Sequence, residues 1–232
     1  MATSARAHPE ERTWSLAAAF FVGLVLFTLS VGLLALALDF SARRGFLPLY
    51  GLTDFQRSLL VVLLASPIEF GILSFTALRI GKRPGFADLL RSVGWVPRLH
   101  DALYALLGAA CYGAIALVKL VLFHSHGSNW KYGFDGITVS LWLLCNCLAQ
   151  PFIEEFYFRG ILFAAMRRRF GSAAAILSSA LLFAALHPRA ITILGIGLLL
   201  GVVRDRTRSL SVCLAVHAGY NAAILLFSSV NW

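Results

Sequence analysis

Long apolar runs without a charged residue are the feature that most restricts what this chain can fold into. The first run, Trp14 to Leu38, has 25 residues, and about 20 residues of helix are enough to cross a hydrocarbon core. Only 13% of all residues are charged, while 59% are hydrophobic, which is too few charges to cover the surface of a water-soluble fold. The sequence therefore predicts an all-α, polytopic membrane helix bundle.

Six more apolar segments follow, and their lengths differ. They are Leu59 to Leu78, Ala102 to Phe123, Ile137 to Met166, Ser172 to Leu186, Ala190 to Val203 and Ser209 to Val230. The fourth of the seven is longer than one span and contains Pro151, which predicts a kink. The fifth and sixth are too short to span separately. They predict a hairpin whose turn, residues 186–189, lies inside the protein or beside a cavity.

The charge pattern indicates membrane topology. The formal net charge is +9, but the basic residues form short clusters between apolar runs, which argues against a nucleic-acid partner. If the N-terminus is cytoplasmic, most Lys and Arg residues, Arg204 among them, fall on the cytoplasmic side, as the positive-inside rule expects. A composition rich in Ala, Arg and Leu favours a bacterial cytoplasmic membrane. Residues 1–13 are expected to be mobile, and the oligomeric state is left open.

Ionisable residues inside the apolar segments carry the functional information, because a charge in lipid needs a partner or a function. Glu155 and Arg159 are i, i+4 neighbours on one helix and are predicted to pair. Glu154 projects about 100° away around the helix axis, which predicts that it faces a cavity. A structural ion pair between helices is the alternative, but it does not account for Glu154. Glu69 is assigned a structural role outside the site.

Four polar groups from three segments fall at comparable depths in the membrane. At about 1.5 Å per residue from the cytoplasmic ends, the depths are about 18 Å for Glu154, 22 Å for His187, 12 Å for His217 and 18 Å for Asn221. His217 and Asn221 alone would be typical of hydrogen bonding between helices. The shared depth instead predicts a water-accessible pocket suited to hydrolysis.

The predicted chemistry needs no covalent intermediate. Glu154 and His187 would activate a water molecule, while His217 and Asn221 would stabilise the developing oxyanion. A zinc-dependent variant is disfavoured, because the sequence lacks a His-Glu-x-x-His motif and the ligands would come from separate helices. No cofactor other than the catalytic water is therefore predicted.

At these residues the sequence resembles the CPBP family, also called the Abi or type II CAAX prenyl protease family of glutamic intramembrane endopeptidases. Glu154-Glu155-Phe156-Tyr157-Phe158-Arg159 is similar to its EExxxR motif, Phe183-Ala184-Ala185-Leu186-His187 to its FxxxH motif, and His217-Ala218-Gly219-Tyr220-Asn221 to its HxxxN motif. The resemblance covers roughly residues 137–227. It implies a catalytic helical core at 137–230, preceded by variable transmembrane helices at 14–136.

The resemblance implies an enzyme with the same assignment of roles to the four polar residues. The implied substrate is a membrane-anchored protein or peptide, cut near its C-terminus. Two alternatives stay open: a non-catalytic member of the family that shields a partner, and a transporter that uses buried Glu and His. The transporter predicts two related halves, and the sequence shows no internal repeat. His124 and His126, in an outer loop, have no assigned role.

Overall fold

The computed structural model describes residues 14–42, 51–82, 85–123, 135–187 and 190–229. In these ranges every regular element is a helix and no strand occurs, which confirms the predicted all-α bundle. The α-helices are α1 Leu16–Ala42, α2 Asp54–Ile80, α3 Phe86–Ser92, α4 Ala105–Phe123, α5 Gly136–Leu143, α6 Gln150–Glu155, α7 Phe163–Ala185, α8 Ala190–Thr207 and α9 Leu210–Ser229. A 3-10 helix, Leu99–Tyr104, leads into α4, and two π-helical segments, Leu144–Ala149 and Phe156–Leu162, flank α6.

Three helical stretches of the described residues are long and apolar enough to cross a membrane. They are Asp54–Ile80, Leu99–Val118 and Gly136–Ala185. Leu16–Leu26 and Leu210–Leu226 are shorter apolar helices in the same ranges. Large apolar side chains such as Leu64 and Phe75 on α2 lie exposed on the surface of the bundle. These features are those of an integral membrane protein, whose lipid-facing side chains need no burial within the fold.

Each predicted apolar segment corresponds to a helix, with two differences at the ends. The fourth run continues as helix to residue 170, and the chain then turns at Gly171, whose φ of 84° favours glycine. The sixth run was expected to end at Val203, but α8 continues to Thr207. Hydropathy ends the run at Val203 because Arg204 is charged, but the Arg204 side chain is buried inside the protein, with 2% of its surface exposed.

Polar capping residues hold the N-terminal end of α2 against the N-terminal end of α5. Thr53 caps α2 and accepts a hydrogen bond from Gln56 N, while the Gln56 side chain accepts one from Thr53 N. The Gln56 amide also donates to Asp135 and Thr138. Hydrogen bonds from the hydroxyl and main chain of Thr138 hold the pKa of Asp135, which caps α5, below its ordinary value.

Close packing between α4 and α9 supports the helix that carries His217. A methyl group at Gly108 would collide with the carbonyl oxygen of Val216, and one at Gly219 with the carbonyl oxygen of Ala105. Small residues permit such close approach of helix backbones in membranes. The position of α9 is therefore set by backbone contact with α4.

Candidate functional site

Two neighbouring glutamates at the end of α6 have different surroundings. The Glu155 side chain is 1% exposed, whereas the Glu154 side chain is 25% exposed. Successive helical residues project about 100° apart. The Glu155 carboxylate therefore points into the bundle, while the Glu154 carboxylate is partly exposed. The predicted separation of the two carboxylates is confirmed.

Glu155 is held by two donors. Its Oε1 accepts a hydrogen bond from Arg159 Nη1 at 3.1 Å and lies 2.8 Å from His217 Nδ1. The predicted Glu155–Arg159 pair is therefore confirmed. Since a carboxylate accepts hydrogen bonds, we assign the Nδ1 proton of His217 to this contact. The other oxygen, Glu155 Oε2, is buried and has no hydrogen-bond partner in the described part of the chain.

Arg159 connects this ion pair to α8 and to an aromatic side chain. Its Nη2 donates to the carbonyl oxygen of Gly197 at 3.2 Å. Its guanidinium carbon lies 4.5 Å from the centre of the Phe183 ring, a cation–π distance. The arginine is 0% exposed, so these contacts replace the water that its charge would otherwise need.

Arg204 is a site-supporting residue that the sequence analysis missed. Its Nε donates a hydrogen bond to the carbonyl oxygen of Arg159 at 2.9 Å, within the π-helical segment that follows Glu155. Its Nη1 also donates to the carbonyl oxygen of Arg208. A π-helical turn disturbs the regular hydrogen-bond ladder, and the Arg204 guanidinium stabilises it from α8.

Both histidines direct Nε2 toward Glu154. His187 Nε2 lies 3.9 Å from Glu154 Oε1, and His217 Nε2 lies 3.7 Å from Glu154 Oε2. These distances are longer than a hydrogen bond, and a polar contact across such a gap can be mediated by a bridging water molecule. His187 Nδ1 lies 2.7 Å from the carbonyl oxygen of Phe183. Because a carbonyl only accepts, we assign a proton to that Nδ1.

The side chain of Asn221 binds the main chain of a neighbouring segment. Its amide donates to the carbonyl oxygen of Asn146 in the first π-helical segment, at 2.5 Å. Glu154, His187 and His217 thus lie together as expected, and the role of Asn221 at the site stays a prediction. The physical reason for the Asn221 contact is that the π-helical segment before Pro151 presents a carbonyl to α9 that a regular helix would use internally.

The remaining sequence candidates lie elsewhere. Glu69 is buried on α2, and His124 and His126 lie outside the described residues. All four cysteines are free thiols. Among the described residues, no group of three or more His, Cys, Asp or Glu side chains is arranged as a metal site. The expectation of a metal-free reaction stays a prediction.

One comparison with known proteins gives a match, and it falls on the C-terminal part of the chain. Residues 136–223 match the family model described as type II CAAX prenyl endopeptidase Rce1-like. No curated protein and no solved structure matches the chain. The matched segment contains Glu154, Glu155, Arg159, His187, His217 and Asn221.

Proposed function

We propose, from the match of residues 136–223 to the type II CAAX prenyl endopeptidase Rce1-like model, that the chain is a glutamic-type intramembrane endopeptidase of that family. The proposed substrate is a membrane-anchored protein or peptide, cut near its C-terminus. The observation that carries the proposal is that the partly exposed Glu154 carboxylate lies between two imidazoles. His187 Nε2 is directed toward Oε1 and His217 Nε2 toward Oε2.

The first step is activation of water by Glu154 and His187. With its proton on Nδ1, neutral His187 has an acceptor lone pair at Nε2. A water between Nε2 and Glu154 Oε1 would donate one hydrogen to each and keep an oxygen lone pair for attack. As the water oxygen bonds to the scissile carbonyl carbon, Glu154 takes its proton as general base.

His217 and Asn221 complete the reaction. To donate from Nε2 while Nδ1 donates to Glu155, His217 must carry both ring protons. It then faces the Glu154 carboxylate before attack and the oxyanion afterwards. Asn221 gives one amide hydrogen to Asn146, and the other is proposed to serve the oxyanion. Protonated Glu154 returns its proton to the amide nitrogen as the C–N bond breaks, releasing an amine and a carboxylate.

Glu155 and Arg159 act as positioning residues. Glu155 fixes the His217 ring through Nδ1, and Arg159 offsets the Glu155 charge at 3.1 Å. With His217 protonated, the formal charges of Glu154, Glu155, Arg159 and His217 cancel. The cluster is therefore neutral as a whole, which lowers the cost of its burial in a membrane.

The proposed location is a bacterial cytoplasmic membrane with a cytoplasmic N-terminus. Arg79, Arg91, Arg167 and Arg206 all belong to the end of the bundle where α2 and α8 finish. At the opposite end, the described charged side chains include the carboxylates of Asp54 and Asp135 and one arginine, Arg57. This asymmetry has the direction of the positive-inside rule.

The test is a comparison of membrane proteomes from cells that carry either the wild type or Glu154→Gln. We expect at least one membrane protein to keep its C-terminal peptide in the variant and to lose it in the wild type. Glu69→Gln is the matched control, because it makes the same change at another glutamate within the membrane, and it should leave cleavage intact. Equal processing in wild type and Glu154→Gln would refute the proposal.

A purified system separates the glutamic mechanism from a metal mechanism. A peptide spanning the cleavage site is incubated with protein in liposomes, with and without 1,10-phenanthroline. We expect unchanged cleavage, since Glu154 and His187 hold the water themselves. Loss of cleavage with the chelator, restored by added zinc, would contradict the metal-free mechanism while leaving the endopeptidase activity standing.

A further inference from the structure

A cavity lies away from the glutamates, at the end of the bundle where α8 meets α9. It has a volume of about 400 Å³, and its lining comes from the segment that precedes α4 and from the α8–α9 loop. A hydrogen bond from Leu210 N to Gly94 O holds these segments together, and Ser211 Oγ lies 3.2 Å from Val96 O. The volume falls within the range of about 300–1,000 Å³ that is typical of small-molecule sites.

The lining of this cavity favours an anion. Arg98 and Arg208 are the two arginines of the lining, and His100, Tyr104 and Ser209 are lining residues that carry hydrogen-bond donors. The first turn of α9 also borders the cavity, which adds the positive end of a helix dipole. Arg98 is exposed, so its charge is accessible from the membrane surface.

Asp101 is the one carboxylate in the lining, and it already accepts two hydrogen bonds from the protein. Its Oδ2 accepts from Ser211 Oγ at 2.6 Å and from Arg98 N at 3.0 Å. Its Oδ1 lies 3.6 Å from His100 Nε2. The Asp101 side chain is 8% exposed. It therefore serves as a buried anchor for the loops, and the lining keeps an excess of positive charge.

Exposed apolar side chains belong to the same segment as the residues that line the cavity. Leu99 is 96% exposed and Leu103 is 68% exposed, although both belong to the short helix that lines the cavity through its other residues. Val96 is also half exposed and stands in the lining itself. In a membrane protein such a segment lies in the interface, with its apolar side chains among the acyl chains.

We propose that this cavity binds the phosphate of an anionic phospholipid headgroup, with the acyl chains running past Leu99 and Leu103. Cationic pockets between transmembrane helices at the membrane surface are suited to such headgroups. Arg98 binds the phosphate, and the cavity encloses the glycerol or other polar group attached to it. The site is independent of the glutamate cluster and of the proposed hydrolysis.

The experiment measures thermal unfolding of the purified full chain in dodecyl maltoside at constant ionic strength. The protein is titrated with dioleoyl phosphatidylglycerol, and in separate series with dioleoyl phosphatidylcholine and sodium phosphate. Binding to the folded state raises the unfolding midpoint in a saturable way. We expect this rise with phosphatidylglycerol and less than one fifth of it in the other two series. An equal rise with phosphatidylcholine, or with sodium phosphate alone, overturns the proposal.

Three variants locate the effect. Arg98→Gln should raise the half-saturating lipid concentration about fivefold, the loss expected for one cation at an anionic surface. Val96→Trp keeps every charge but fills the mouth, and it should remove the saturable rise. Arg206→Gln removes an exposed cation from the last turn of α8, outside the lining, and should change the concentration less than twofold. An Arg206→Gln effect as large as that of Arg98→Gln would overturn the proposal.

Discussion

The closed and open regions of the site differ, although they begin at adjacent residues. The closed region consists of Glu155, Arg159 and Arg204, all almost completely buried and joined by hydrogen bonds of 2.9–3.1 Å. The open region consists of Glu154 and His187, each about a quarter exposed and 3.9 Å apart. Each region contains a glutamate beside a basic side chain, but the two regions differ in hydrogen bonding and in exposure to solvent.

The difference indicates a division between support and reaction. A buried carboxylate that pairs with Arg159 and His217 cannot accept a proton from water without weakening these contacts, whereas an accessible carboxylate beside an imidazole acceptor can. Substitutions in the open region should therefore change rate, and substitutions in the closed region should change stability as well.

The largest effect is expected in the open region, from His187→Gln. Loss of the Nε2 acceptor should lower the cleavage rate by about 10²–10⁴-fold, the usual contribution of a proton-transfer partner. The unfolding midpoint should change little, because the residue is partly exposed. In the double variant with Glu154→Gln the two losses should not add, since residues acting on one water behave as a unit. If the two rate losses added fully in single-turnover assays, Glu154 and His187 would not act on the same water.

In the closed region, Arg159→Met should cost about 3–5 kcal/mol of unfolding free energy, because Glu155 keeps a buried charge without its partner. Unfolding in mixed detergent micelles measures the loss. Adding Glu155→Gln to Arg159→Met should recover part of it, since the unpaired charge is then removed. If the double variant is no more stable than Arg159→Met, the pair does not stabilise the closed region as described.

Arg204→Gln tests the support from α8. The variant loses a charged hydrogen bond to the carbonyl oxygen of Arg159, which should cost about 1.5–3 kcal/mol. The cleavage rate should fall as well, because the π-helical segment beside Glu155 loses its hydrogen bond to α8. Arg168→Gln, at an exposed cation of the same end, is the control. Equal stability of the two variants would exclude the support proposed for Arg204.

Gly108→Ala tests the packing behind His217. The added methyl group meets the carbonyl oxygen of Val216, and overpacking of this kind should cost about 1–3 kcal/mol. Gly113→Ala is the matched control on the same helix, because a methyl group there meets nothing within 4 Å. The control should be neutral or slightly stabilising. Similar unfolding curves for both variants would mean that α4 does not fix α9.

Much of the fold could be predicted because the apolar composition of a membrane segment can be recognised from its own sequence. The run Leu59 to Leu78 lies inside α2, Asp54–Ile80, and the missing residues are the polar cap and the basic end that hydropathy omits. The Glu155–Arg159 pair was likewise local, four residues apart on one helix. Such features need no knowledge of the neighbouring helices.

The parts that were missed depend on contacts between distant segments. Arg204 carries the same charge as its solvated neighbours, and its partner Arg159 lies 45 residues away in sequence. The hydrogen bond from Asn221 to Asn146 depends on a π-helical segment, for which Pro151 gave only the expectation of a kink. Neither contact has a signature within its own segment.

The most direct test of the account compares isosteric glutamine substitutions at the two adjacent glutamates, with cleavage and unfolding measured on the same preparations. Glu154→Gln should abolish cleavage and leave the unfolding midpoint unchanged. Glu155→Gln should lower the midpoint as well as the rate, since Arg159 and His217 lose a charged partner. Measurable turnover by folded Glu154→Gln, with Glu155→Gln inactive but fully stable, would contradict the division between the open and closed regions.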